Sequence, residues 1–358
     1  MVKLYQIAVI KYQMANLTST VIFSKKALFL LGAIIALLII IIISSRFIGQ
    51  FADIFFPPAP IPATVAFGKI PKIDFSEGIK PVGDIHYTVE TISGNIENLA
   101  SSAKVFEISE PIPIFGNLQE AIERAKGAGF RAETSELGGG IIKFVDPQNN
   151  SRLLTIETTS QSTTLESQYL NKLEIVTAKL RSTNDAKNTA INFFGSLKLP
   201  LKDFPSEKVF LENYKVEMGT LVKSLALADT NLVKVIFTRE DIDMLPVISA
   251  DFNNPPVYAL ATDKEVVEAS YIFGNIQKYK FSTYPLKGTK QAFEDLKMGR
   301  GALNKMPTSN VFPIRGVILG YLETKKHQPY LQPVYIFMSD DGFMAYVAAV
   351  SDLYTIEN

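Results

Sequence analysis

Cysteine and tryptophan are absent from this sequence of 358 residues, and histidine occurs only twice, at His86 and His327. Without cysteine there is no disulfide, no thiol nucleophile, no thiolate metal site and no thiol to carry a lipid. Two histidines far apart in the chain give no metal-ligand spacing, so no metal and no cofactor is expected. An excess of one charge is also missing, because 36 basic residues balance 36 acidic ones. Nothing in that balance favours nucleic acid, and there is no acidic tail. The sequence has no G-x-S-x-G elbow, phosphate-cradling P-loop or H-E-x-x-H pair. A Ser/His/Asp triad would need His86, on an alternating strand, or His327, in the loop Lys325–Gln328. Both positions suit ordinary surface histidines. The expectation is a protein that is not an enzyme.

Against these absences stands one long apolar run, Ala27 to Ile43, which ends in five consecutive isoleucines. Extended through Ser45, it is about 19 residues long, and as a helix it would span about 28 Å, close to the hydrocarbon thickness of a bilayer. Leu30, Ile35, Leu38 and Ile41 mark its centre as a membrane anchor. Its hydrophobicity on every face suits lipid better than a soluble core. Lys25 and Lys26 precede it, whereas only Arg46 follows before Lys69, so residues 1–26 are expected in the cytoplasm and the remainder outside. A cleaved signal peptide would have a shorter core and small residues at its cleavage site, whereas Ser44-Ser45-Arg46-Phe47-Ile48 follows here. The expected location is the cell membrane, single-pass, with an extracytoplasmic body.

Residues 46–80 read as a juxtamembrane linker. Phe47, Ile48, Phe51, Ile54, Phe55 and Phe56 suit the membrane interface, and Pro57, Pro58, Pro60 and Pro62 favour an extended, stiff backbone. The alternative is a loop packed on the body. Beyond it, 81–180 reads as one α+β domain and 181–358 as a second. Ile85, Tyr87 and Val89 alternate as on a strand, and Lys104–Ile108 suggests another. Asn117 and Glu120 make a capping pair for a helix with Leu118, Ala121, Ile122 and Ala125 on one face, ended by Gly127 and Gly129. Strands are expected at Phe130–Thr134, Ile141–Val145 and Leu153–Thr158. A second helix follows Thr183 or Asn184, with Ala186, Ala190 and Phe194 inward. Strands come next at Leu232–Thr238, Val257–Ala261 and Glu265–Phe273, the last continuing towards Tyr279. A third helix spans Thr289–Met298. The end is strongly β: Arg315–Tyr321, Pro333–Met338 and Phe343–Val350, the last two joined by a tight turn at Asp340-Asp341-Gly342. The fold class is α+β: a single transmembrane helix, then antiparallel-sheet domains with helices packed on one face.

The C-terminal part carries a resemblance. Tyr284-Pro285-Leu286, the helix around Gln291–Leu296, Gly299-Arg300-Gly301, the strand Gly316–Tyr321, the segment Gln328–Phe337 and Phe343–Val350 resemble the PepSY-like repeats of YycH/YycI-type extracytoplasmic regulators. The match is clearest over residues 281–352, with a degenerate copy in 184–280. It implies a non-catalytic regulator with one membrane helix, acting by binding partners such as the sensor parts of membrane histidine kinases.

Aromatic residues crowd the last strands. Tyr321, Tyr330, Tyr335, Phe337, Phe343 and Tyr346 are the candidate partner-binding residues if they line an exposed face, with Lys287, Lys290, Lys325 and Lys326 at its rim. Their alternative role is to fill the core. The expected partners are the bilayer and another envelope or membrane protein. Two other functions compete. Glu240, Asp241, Asp243 and Asp251 could supply the paired carboxylates of a cell-wall hydrolase. A structural or protease-inhibitor-like envelope protein would share the same outline.

Overall fold

The computed structural model describes residues 62–357, apart from 82–84, 113–115, 137–139, 307–309 and 341. The expected anchor, with Leu30, Ile35, Leu38 and Ile41, and the cytoplasmic tail lie outside the described residues. Among the described residues no helix is long and apolar enough to cross a membrane. The body is strand-rich α+β and is built on two large sheets.

The larger sheet has nine strands, all paired antiparallel. Across it run Arg131–Glu136, Ile141–Asp146, Asn149–Glu157, Thr163–Glu166, Val266–Tyr271, Val257–Ala261, Leu232–Phe237, Val209–Glu217 and Thr220–Lys223. Side chains on a strand alternate between faces. Val233, Val235, Ala259, Leu165, Leu154 and Phe144 therefore point to one face, where they form a core with helix residues Ala121, Ala125, Ala186, Ala190 and Phe194. Lys234, Tyr258 and Glu268 point to the other.

The helix Asn117–Gly127 starts differently from expectation. Gly116, at φ 98°, supplies the left-handed entry, and no side chain caps the end. The Glu120 amide bonds the Gly116 carbonyl, and its carboxylate pairs with Arg124 at 2.5 Å, one turn on. The helix Thr183–Ser196 is capped one residue earlier than expected, by Ser182, whose hydroxyl accepts from the Asn184 amide at 3.1 Å. The helix Thr289–Lys297 follows Gly288 and ends before Gly299, at φ 73°.

The smaller sheet runs Val247–Ser249, Gly316–Glu323, Tyr330–Met338, Met344–Ala348 and Ala302–Leu303. Ser102–Ile108 pairs with the start of Tyr330–Met338 and with Ile276–Pro285. Both faces are covered. Ala292 and Leu296 of the helix pack with Tyr335 and Phe337 on one side, while Ile73, Ala250 and Leu322 pack with Val334, Ile336 and Tyr346 on the other.

The two sheets are nested in the chain. All nine strands of the larger one lie in sequence between Ser102–Ile108 and Ile276–Pro285, which pair with each other. A boundary at 180/181 thus falls inside one sheet, where Ser270 faces Thr164. The expected long strand from Glu265 is two strands, because Ile272–Asn275 carries the chain from one sheet to the other. The described part of the expected linker is docked. Ile70–Pro71 pairs in parallel with Thr355–Ile356, Ile70 is fully buried, and the Thr64 amide bonds the Thr283 carbonyl at 3.0 Å. Within 62–80 the packed-loop alternative holds and the free spacer does not.

Candidate functional site

The aromatic candidates separate into core and rim. Tyr321, Tyr335, Phe337 and Tyr346 are fully buried, and Phe343 is 7% exposed. Tyr346 donates its hydroxyl to the Ala250 carbonyl at 2.6 Å, and Tyr321 donates to the Lys104 carbonyl at 3.0 Å. These five form no exposed face, which corrects the expectation. The reason is visible in Leu331–Phe337, where every residue is buried: a strand covered on both faces reads as a continuous apolar run. Only Tyr330 is half-buried, with its ring stacked on Phe67 at 5.1 Å. Lys287 is no rim residue either, since it is buried between Asp295 at 2.8 Å and Asp352 at 3.0 Å. Lys290 and Lys326 are exposed.

The acidic candidates do not converge. Glu240 pairs with Lys278, Asp241 with Lys208, Asp243 with Lys104 and Asp251 with Lys325. Each carboxylate is held by a different lysine. His86 is exposed on its strand and His327 is exposed in its loop. Among the described residues no three His, Asp or Glu side chains gather as metal ligands.

What the fold does build is a hollow of about 290 Å³ at the junction of the two sheets. Its apolar floor comes from Ile108, Ile276, Leu322 and Leu331 of the smaller sheet and its partners and from Ile272 and Phe273 of the crossover. Its rim is polar, with Glu157, Ser160 and Ser162 on one side and Lys325, Lys326, His327 and Gln328 on the other. Tyr330 is the one aromatic candidate that lines it. The side-chain nitrogen of Gln328 is buried without a hydrogen-bond partner among the described residues. An incoming acceptor would remove that desolvation cost.

The rim loop is fixed from outside. The Glu77 carboxylate accepts from two successive amides, Lys325 at 2.9 Å and Lys326 at 2.7 Å. Asp74 binds the Lys326 ammonium at 3.0 Å. Hydrogen bonds from Ser76 and then Lys326 hold the Asp74 carboxyl down to about 2. Behind the floor, Arg239 joins Glu323 at 2.5 Å and donates to the Gly274 carbonyl at 3.0 Å. Its guanidinium also lies 4.4 Å from the Phe273 ring centre.

A second hollow of about 530 Å³ adjoins the first across Ile272 and Lys325, on the larger sheet's face away from the helices. Here Glu268 accepts from Tyr258 at 2.6 Å and from Tyr169 at 3.4 Å. Burial first, and the glutamate beside it, raise both phenols, with Tyr169 pushed up to about 12. Lys234 is buried beneath the loop Asp251–Asn254. It donates to the Asn253 carbonyl and to the Asn254 side chain at 2.7 Å, and its ammonium sits 4.3 Å from the Tyr258 ring centre. Burial lowers its pKa despite the attraction of Glu268 and Glu212. Tyr258, Tyr169 and Glu268 are thus joined by hydrogen bonds, with Lys234 beside the Tyr258 ring.

No protein-family model matches the chain, and no curated protein is significantly similar to it.

Proposed function

We propose that the chain is a membrane-anchored, non-catalytic interaction module of the cell envelope, held by residues 27–45 with its α+β body outside the cytoplasm. The junction hollow is the observation that carries this reading. It has an apolar floor, a polar rim and an unpaired buried amide, and both sheets contribute to it. Such a cleft suits an apolar anchor side chain on a partner segment whose backbone oxygen meets Gln328. Tethering in the membrane plane raises the effective concentration of a membrane partner, so a shallow site suffices. The PepSY-like resemblance of the C-terminal part agrees with a regulator whose partner is another membrane protein, a sensor kinase among them.

A photo-crosslinking residue in place of His327, in the full chain in its native membrane, tests this reading. It should capture a membrane protein that the same residue at Leu225, on the far hairpin, does not. Equal capture at both positions, or turnover of wall polysaccharide that is lost with Asp251→Asn, would overturn it.

A further inference from the structure

Strand Ile276–Pro285 carries an unusual bulge. Gln277 faces Glu107 and Phe281 faces the next residue back, Phe106, so Lys278, Tyr279 and Lys280 have no residue opposite them. Bulges re-aim side chains, and this one throws Tyr279 outward until it is 77% exposed. Two ion pairs brace it, Lys278 to Glu240 and Lys280 to Glu107. Beside it Phe281 is 44% exposed, against Phe106 and under the Lys104 ammonium. Lys104 in turn pairs at 2.7 Å with Asp243, whose neighbour Met244 sits in a left-handed turn at φ 62° and is 93% exposed. Three apolar tips, Tyr279, Phe281 and Met244, thus share a collar of three lysines. Each lysine is matched by one carboxylate.

A second observation says what this knob meets. The described chain begins on the same strand. The Pro62 carbonyl accepts from the Thr283 hydroxyl at 2.7 Å, and the Ala66 amide donates to the Ser282 hydroxyl at 2.7 Å. Between Pro62 and the end of the apolar segment at Ser45 lie residues 46–61, sixteen residues that can reach at most about 58 Å. Six of its residues are Phe or Ile, at 47, 48, 51, 54, 55 and 56, residue types that suit the membrane interface. The strand that carries the knob is therefore one on which the first described residues after the anchor dock, through Pro62, Thr64 and Ala66.

We infer that the Lys278–Phe281 bulge, with Met244, rests on the lipid–water interface. Tyr279, Phe281 and Met244 enter the headgroup layer and the lysine stems lie along it. The inference rests on the anchored reading given above. Charge balance in the collar makes the contact one of apolar and aromatic burial, so it does not depend on anionic lipid.

The absence of native tryptophan makes the test direct. The full chain carrying Tyr279→Trp or, as a control, Leu225→Trp is reconstituted into phosphatidylcholine vesicles with brominated acyl chains. The expected result is blue-shifted emission from Tyr279→Trp, quenched several-fold more than that of Leu225→Trp, with no change when phosphatidylglycerol is added. Vesicle flotation separates the two ways to fail. A chain that does not float overturns the anchored reading and this inference with it. A chain that floats but shows equal quenching at the two positions, or quenching that requires phosphatidylglycerol, overturns this inference alone.

Discussion

Arg239 and Glu323 form a buried ion pair across the junction of the two sheets, with nitrogen and oxygen 2.5 Å apart. Arg239 follows a central strand of the larger sheet, and Glu323 ends a strand of the smaller one. Removing one partner leaves the other charge buried and unpaired, which costs about 3–5 kcal/mol. Arg239→Ala and Glu323→Ala should each lower stability to urea by about that amount. Arg239→Lys should recover little, because an ammonium cannot make the Nε and Nη2 contacts together and lie flat on Phe273. The double variant should cost clearly less than the sum of the singles. A double variant equal to that sum would show that the pair is not coupled.

Gly301 stands where the chain leaves the last helix and meets strand Met344–Ala348. A Cβ there would sit 2.6 Å from the Tyr346 carbonyl oxygen and 2.9 Å from Val347. The carbonyl belongs to a sheet and cannot yield, so Gly301→Ala should cost about 1–3 kcal/mol by overpacking. Gly299→Ala has open space around it but a left-handed φ of 73° to hold, so it tests strain alone. Thermal unfolding of the two variants distinguishes crowding from backbone strain at neighbouring glycines.

Local structure was largely legible in the sequence. Ala186, Ala190 and Phe194 at helical spacing and the run Val257–Ala261 gave the right elements within a residue or two. The nesting was not legible. It depends on pairs such as Ser270 with Thr164, and nothing near either residue announces the other. The candidate site failed for a related reason. The crowd of tyrosines and phenylalanines at the C-terminal end marks a sheet covered on both faces, and only Tyr330 reaches the hollow. The residues that shape the hollow, Glu77, Arg239 and Glu323, are single polar residues brought together over long separations, 84 residues for the last two. Glu77 carried no signal beyond its own charge.

Two tyrosine hydroxyls make a contrast that exposure alone would miss. The Tyr346 hydroxyl donates to the Ala250 carbonyl at 2.6 Å within the core. The Tyr87 hydroxyl is buried with no hydrogen-bond partner among the described residues, and burial pushes its pKa up to about 12. Tyr346→Phe should strand the Ala250 carbonyl and cost about 1–2 kcal/mol, whereas Tyr87→Phe should be neutral or stabilising. Equal losses from the two variants in chemical denaturation would mean that Tyr87 does have a partner.

Asp74 gives the rim loop a dependence on acid with a definite sign. Bonds from Ser76 and Lys326 hold its carboxyl at about 2, below the ordinary value of 3.8. A carboxyl depressed in the folded state stabilises the fold fully above its unfolded value and loses that contribution as pH falls through its folded value. The stability difference between wild type and Asp74→Asn should therefore be constant above about pH 5 and shrink as the pH falls towards 2. Solvent screening at this partly exposed site keeps the difference to about 1 kcal/mol or less. Denaturant titrations of both proteins across that range give the curve. The same substitution should loosen the amides of Lys325–Gln328 in hydrogen exchange at neutral pH, since Lys326 loses its carboxylate while Glu77 keeps both amides. A difference that grows on acidification would mean that Asp74 is not held in its ionised form by these bonds.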